Sequence, residues 1–210
     1  MPRTKVLVNR QQLILESAHE LFGRYSFEKT TVDDIARHAG ISKGAIYLEF
    51  ANKDQIIVAI VKQFKDSELS FMTNQMVNAR PPILVALNGM LLEHVMRVYD
   101  HATSQVHSPE VLIHTHKLVK SKIKFAGAIR ELLTRMLEKA KEHDEIARKR
   151  DCQHLADLLM ASIATLLPPY PQNSTIYEQE YWPRNKFEKN ASELLEIFVL
   201  GLTVQKLGGR

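Results

Sequence analysis

Thr30-Thr31-Val32-Asp33-Asp34-Ile35-Ala36-Arg37-His38-Ala39-Gly40-Ile41-Ser42-Lys43-Gly44-Ala45-Ile46-Tyr47-Leu48-Glu49-Phe50 predicts two short helices joined by a tight turn. Thr31 suits the N-cap of the first helix: its hydroxyl can accept the N–H of Asp34 while Asp34 reaches back, which makes a capping box. Val32, Ile35, Ala36 and Ala39 fall on one apolar face. Gly40 ends that helix where a positive φ is needed, and Ile41 plugs the turn into the core. Ser42 caps the second helix, whose inner face is Ala45, Ile46 and Phe50, so that Lys43, Gly44, Tyr47, Leu48 and Glu49 point outward. The small residues Gly44 and Ala45 let the start of this helix come close to a phosphate or a base edge.

Helix pairs of this kind occur in many folds, and the flanks narrow the choice. Upstream, Ile14, Ala18, Leu21, Phe22 and Tyr25 recur at helical spacing. Downstream, Asn52 caps another helix with Gln55 as its box partner, and Ile56, Ile60, Val61 and Phe64 form its stripe. A helix, a two-helix reader and a long connecting helix in this order resemble the TetR family of bacterial transcriptional regulators. The residues that carry the resemblance are Thr30 to Ala36, Gly40 to Gly44, Ile46-Tyr47, Phe50 and Asn52-Lys53, within a stretch from Arg10 to Phe64.

The resemblance implies a homodimer on a pseudo-palindromic operator in double-stranded DNA, with the reader helices in successive major grooves. By motif position, Thr31, Tyr47 and Lys53 are expected on phosphates, and Lys43 on guanine O6/N7. Ser42, Gly44, Ala45 and Leu48 complete the expected contact set, with Ala45 placed to touch a thymine methyl. Two residues depart from the commoner pattern: Leu48 stands where an aromatic or histidine is frequent, and Glu49 where histidine is frequent. Glu49 can accept from cytosine N4 or pair with a cation of its own domain.

The whole chain sets bounds on these expectations. It has 210 residues, 45% hydrophobic and 25% charged, with a net charge of +4 and a pI near 9.1. That balance permits nucleic-acid binding without requiring it. The cationic excess lies in the middle, at His114, His116, Lys117, Lys120, Lys122 and Lys124, which a solvated helix face explains best. No apolar run nears the ~18–20 residues of a membrane helix, and the first residues carry no secretory signal pattern. A single cysteine, Cys152, excludes an intrachain disulfide and fits the cytoplasm; it reads as a small buried hydrophobe.

Helical periods continue to the end, so the fold is read as all-α: an N-terminal helix-turn-helix three-helix domain plus a larger helical ligand-binding and dimerisation domain. The first is expected over 1–54, with the connecting helix to about 78, and the second over 79–210, after Ala79-Arg80-Pro81-Pro82. Helices follow around Leu87–Val98, after Ser108-Pro109 (Val111, Leu112, Leu118, Val119), over Phe125–Leu137, from Asp151, and from about Asn185 to Lys206. Pro168-Pro169-Tyr170-Pro171 opens a long connection with Tyr177, Tyr181 and Trp182. The last two helices are apolar over wide arcs, and the resemblance pairs them across a dimer twofold. Leu155, Leu159, Ile163, Leu195, Phe198 and Leu202 are the expected interface.

The resemblance also implies a sensor pocket among the middle helices. Met90, Leu91, His94, Val98, Phe125, Ile129, Leu133 and Met160 are candidate linings for a small hydrophobic or amphipathic effector, although such stripes more often form plain core. No buried carboxylate is evident in them, which favours a neutral or anionic effector. Nine histidines, among them His94, His101 and His107, show no metal-ligand spacing, and no cofactor is expected. Nothing resembles a serine elbow, a phosphate loop or a nucleotide fingerprint. Paired acids such as Asp144-Glu145 suit caps and surface better than acid–base chemistry. The competing class is a partner-controlled or architectural DNA-binding protein with no small-molecule ligand.

Overall fold

The computed structural model describes residues 9–104, 125–166 and 183–203. His107, the helix expected after Ser108-Pro109, the run from His114 to Lys124, the connection from Pro168 to Trp182, and Val204 to Lys206 lie outside the described residues. Among the described residues there are eight helices and no strand. They are α1 (Arg10–Tyr25), α2 (Val32–Ala39), α3 (Lys43–Glu49), α4 (Lys53–Asn78), α5 (Ile83–Thr103), α6 (Phe125–Glu142), α7 (Cys152–Ala164) and α8 (Arg184–Leu202). The fold is all-α, as the helical periods require.

The chain divides into two compact units, and the division falls inside α4, between Lys65 and Asp66. α4 itself ends at Asn78, where the break near residue 79 is expected. The second half of α4 contributes Met72 to the core of the second unit, with Leu69 and Met76 packed against it. A helix break in the sequence and a change of packing partner need not coincide.

In the first unit, Ile14, Ala18 and Phe22 of α1, Ile35 of α2, Ile46 of α3 and Ile56 and Ile57 of α4 close on one core. In the second unit, α5 supplies Leu87, Leu91 and Val95, α6 supplies Leu133, Met136 and Leu137, α7 supplies Leu155 and Leu159, and α8 supplies Phe187 and Leu195. Polar ties register these helices. Glu145, beyond the end of α6, accepts from the N–H groups of Ile83 and Leu84 at 2.6 and 2.7 Å, which satisfies two orphan donors at the start of α5. Arg184 holds Asp100 by two hydrogen bonds of 2.8 and 3.1 Å. Tyr99 and Phe187 stack at 4.2 Å. Cys152 is buried at the start of α7, where burial pushes its thiol above its ordinary value.

Leu155, Leu159, Ile163, Leu195 and Leu202 are buried in the second unit's own core, and Phe198 packs against it. A side chain already removed from water by its own subunit has no apolar surface left to bury in a partner. Among the described residues, the large apolar side chains that α7 and α8 leave exposed are Leu158, Leu194 and Ile197, the last at 73%.

Candidate nucleic-acid interface

The local chemistry of the quoted stretch explains the geometry of the site. The Thr31 hydroxyl accepts from the Asp34 N–H at 3.1 Å, and the Asp34 carboxylate accepts from the Thr31 N–H at 3.0 Å, so the capping box is complete. The Thr31 hydroxyl also donates to the same carboxylate at 2.6 Å. These hydrogen bonds hold the Asp34 carboxyl below its ordinary value. At the other end of α2, Ile41 N–H reaches Ala36 O at 3.0 Å and Gly40 N–H reaches Arg37 O at 3.3 Å. This pair of bonds is a Schellman ending, and Gly40 supplies its left-handed residue with φ of 66°.

The turn delivers α3 with Ser42 at its N-cap, the side chain accepting from Ala45 N–H at 3.1 Å. Ile46 is fully buried and Phe50 nearly so, which fixes the rotation of this short helix. Lys43, Gly44, Tyr47 and Leu48 are thereby turned outward and Ala45 is half-buried. Leu48 is 79% exposed, the largest exposure among the exposed large hydrophobic side chains. Such a side chain gains nothing from water and is informative when it sits on a projecting helix.

Each charge on α3 has a partner on another helix. The Lys43 ammonium donates to Asp33 of α2 at 2.9 Å, both side chains about half exposed. That hydrogen bond and the adjacent carboxylate raise the Lys43 pKa. Glu49 accepts from the Gln11 amide at 3.0 Å and pairs with Arg10 at 3.5 Å, both at the start of α1. Of the two roles open to Glu49, the cation of its own domain is the one realised here. Arg10, Gln11 and Asp33 join this surface without a motif that marks them. Asp33 lies ten positions from Lys43 and reads as a first-turn acid of α2; Arg10 carries no local signal at all.

Lys53 is placed differently from the expectation for a phosphate contact. Its ammonium donates to the carbonyls of Phe27 and Thr30 at 2.6 and 2.9 Å and lies 4.2 Å from the Phe27 ring centre. Two of its three N–H groups therefore serve the loop before α2. The Thr31 hydroxyl proton is likewise engaged by Asp34. Also in the first unit, Leu21, Tyr25, Lys29, Thr30, Asp34, Arg37 and His38 line an open hollow of about 560 Å³. Arg37 there pairs with Asp34, and His38 with Glu20.

The candidate sensor residues separate in the second unit. Met90, Leu91, His94, Ile129 and Leu133 are buried, whereas Val98, Phe125 and Met160 are half-buried. Outside those stripes, on α4, Glu68 is a fully buried carboxylate. One of its oxygens accepts from His94 Nδ1 at 2.9 Å and the other from Arg97 Nε at 2.6 Å. Glu68 comes from a different helix than the stripes, which is why their spacing could not reveal it. A cavity of about 380 Å³ is lined by Gln75, Asn78, Ala79, Arg80, Ala86, Gly89, Met90 and Glu93, so of the expected linings Met90 is the one it contains.

Residues 14–60 match the family model described as bacterial regulatory proteins, tetR family. An uncharacterized HTH-type transcriptional regulator of Bacillus subtilis, YuxN, is 29% identical over 91 residues, which cover 40% of this chain and 31% of that protein. The probable acrEF/envCD operon repressor of Escherichia coli is 43% identical over 54 residues, covering 26% of this chain and 24% of the repressor. The chain thus spans about a third or less of the length of these relatives. Among solved structures, the SmeT–triclosan complex superposes with a TM-score of 0.70 at 16% identity, covering 94% of this chain and 93% of that one. SmeT, the repressor of the Stenotrophomonas maltophilia multidrug efflux pump SmeDEF, gives 0.65 at 18% identity over 93% and 91%. At these identities the superpositions establish the shared fold.

Proposed function

We propose that this chain, whose residues 14–60 match the model of the tetR family of bacterial regulatory proteins, is a sequence-specific transcriptional regulator. It binds an inverted-repeat operator as a homodimer and is released by a small molecule. The observation that carries this is α3 itself, capped by Ser42, pinned by buried Ile46 and projecting Tyr47 and Leu48 into solvent. A Cβ at Gly44 would meet only the Ser42 hydroxyl, at 3.9 Å. The protein's own packing therefore does not require glycine there, which leaves the position free for close approach by an outside surface. Tyr47 offers a hydroxyl to a phosphate, Lys43 an ammonium to a base edge, and Leu48 an apolar tip to a thymine methyl. Arg10, held beside α3 by Glu49, is a further cation for the DNA backbone. The residues support a binding surface, and DNA as the partner supports a cytoplasmic location.

Repression fits the roles of the operon repressor and of SmeT. An effector acts only if it prefers the conformation that does not bind DNA. The cavity of about 380 Å³ beside Met90, with Arg80 and Glu93 on its wall, is of the size that holds a small ligand. Its mixed lining suits an amphipathic molecule. The dimer is assigned to the exposed faces of α7 and α8.

Footprinting of the purified protein on inverted repeats selected from random DNA tests the reading. Tyr47→Ala should weaken the footprint by tenfold or so, the loss expected from about 1–2 kcal/mol of contact energy. An unchanged footprint in that variant removes α3 as the reader. Amphipathic compounds that raise the unfolding temperature should also release the DNA; if none of a broad panel does either, the partner-controlled alternative takes its place.

A further inference from the structure

The two residues that meet at the front of the helix pair, Asp33 and Lys43, suggest more than a surface salt bridge. Their polar atoms stand 2.9 Å apart, both half exposed. They belong to different helices, α2 and α3, so the pair bridges the motif. Asp33 is not needed for the capping box, which uses Asp34.

We propose that Asp33 is a specificity-determining residue which, together with Lys43, reads one G·C base pair in each half-site. This rests on the proposed function above and deepens it. In a G·C pair, cytosine N4 donates to guanine O6, so the two atoms lie about 2.9 Å apart, one hydrogen-bond length. In the major groove guanine shows the acceptors O6 and N7, and cytosine shows the second hydrogen of N4. An ammonium and a carboxylate at the same spacing present the complementary order. Lys43 donates to O6 and N7 while Asp33 accepts from N4, and the ion pair need not be broken. An A·T pair fits worse. With adenine in guanine's place the ammonium meets the N6 donor and the carboxylate meets the thymine O4 acceptor; with thymine there, O4 and N6 keep the order, but the methyl stands where N7 was and removes the ammonium's second contact. On non-matching DNA, Asp33 meets no donor and its charge opposes the phosphates, so non-specific binding is held down.

The test is selection of inverted repeats from random DNA by the full-length protein, its Lys43→Ala variant and its Asp33→Ala variant. Binding is then measured on the selected site with each base pair exchanged, and folding is checked by circular dichroism. The wild type should require G·C at one position per half-site, with about five- to 150-fold loss for A·T there. Both variants should lose that preference at the same position, to below about threefold. Asp33→Asn, isosteric and still able to accept from N4, should fall between and serves if the alanine variant folds poorly. Suppose Asp33→Ala tightens binding on all sequences and keeps every positional preference. Asp33 is then a counter-charge only and the inference is overturned. A wild type that selects no sequence overturns the regulator reading itself.

Discussion

A lysine at the start of a helix is ordinarily solvated, yet Lys53 turns its ammonium onto two backbone carbonyls and an aromatic ring. Hydrogen bonds from a charged donor are worth more than neutral ones, about 1.5–3 kcal/mol. Lys53→Ala should therefore lower the stability of the protein by about that amount, read as a drop in the midpoint of denaturant unfolding. A variant as stable as the wild type would show that the carbonyls are served equally well by water. Glu68 is the second such residue. Burial by itself pushes its carboxyl up, but the hydrogen bonds and charge supplied by His94 and Arg97 outweigh burial and hold it below 4.5, its ordinary value. A carboxyl with a depressed folded pKa stabilises above the ordinary value and loses that contribution as pH falls through the folded one. Stability should thus decline as pH drops below 4.5, and Glu68→Gln should flatten that part of the profile while costing about 3 kcal/mol or more near neutrality. Unfolding curves across an acid series check both, and an unchanged slope in Glu68→Gln would assign the acid sensitivity elsewhere.

The α2–turn–α3 element is short, so its ends matter more than its middle. Eight residues of α2 and seven of α3 are too few to form helices alone, and caps with tertiary packing must hold them. Gly40 is the most constrained backbone position of the pair, at φ of 66° with no neighbouring atom within 4 Å of an added Cβ. The cost of a side chain there is conformational rather than steric, about 1–2 kcal/mol. Gly40→Ala should lower the unfolding temperature by several degrees, whereas Gly40→Asn should lower it less because asparagine tolerates this region. Equal stability of the two variants would mean that the turn relaxes out of the left-handed conformation. Thr31→Ala should cost about 1 kcal/mol through loss of the box.

For the whole molecule, the proposed twofold assembly rests on the exposed faces of α7 and α8. Leu159→Asp should unfold the second unit, because Leu159 is fully buried in its own core. Ile197→Asp and Leu158→Asp, by contrast, sit on exposed faces and should leave a folded chain that sediments as a monomer. A stable interface buries roughly 2,000 Å² or more in obligate dimers, so one central charge is sufficient to break it. If both variants remain dimeric, α7 and α8 do not form the interface.

The sequence by itself determined the helical class, the order of the described helices and the capped α2–turn–α3 pair. Those depend on local signals: the Thr31–Asp34 box, the glycine at 40, the Ser42 cap and the 3.6-residue period of Ile14, Ala18 and Phe22. Each acts within one turn of its own helix, so it is legible along the chain. Only the tertiary structure decided which apolar arc of α7 and α8 faces inward, since a period defines a stripe but not its partner. It alone decided where α4 changes allegiance, because a continuous helix carries no mark of the core it enters. It alone brought Arg10 to Glu49, Asp33 to Lys43, and Glu68 to His94 and Arg97. Each of these pairs joins different helices, and their attraction depends on a distance in space that no spacing in the sequence records.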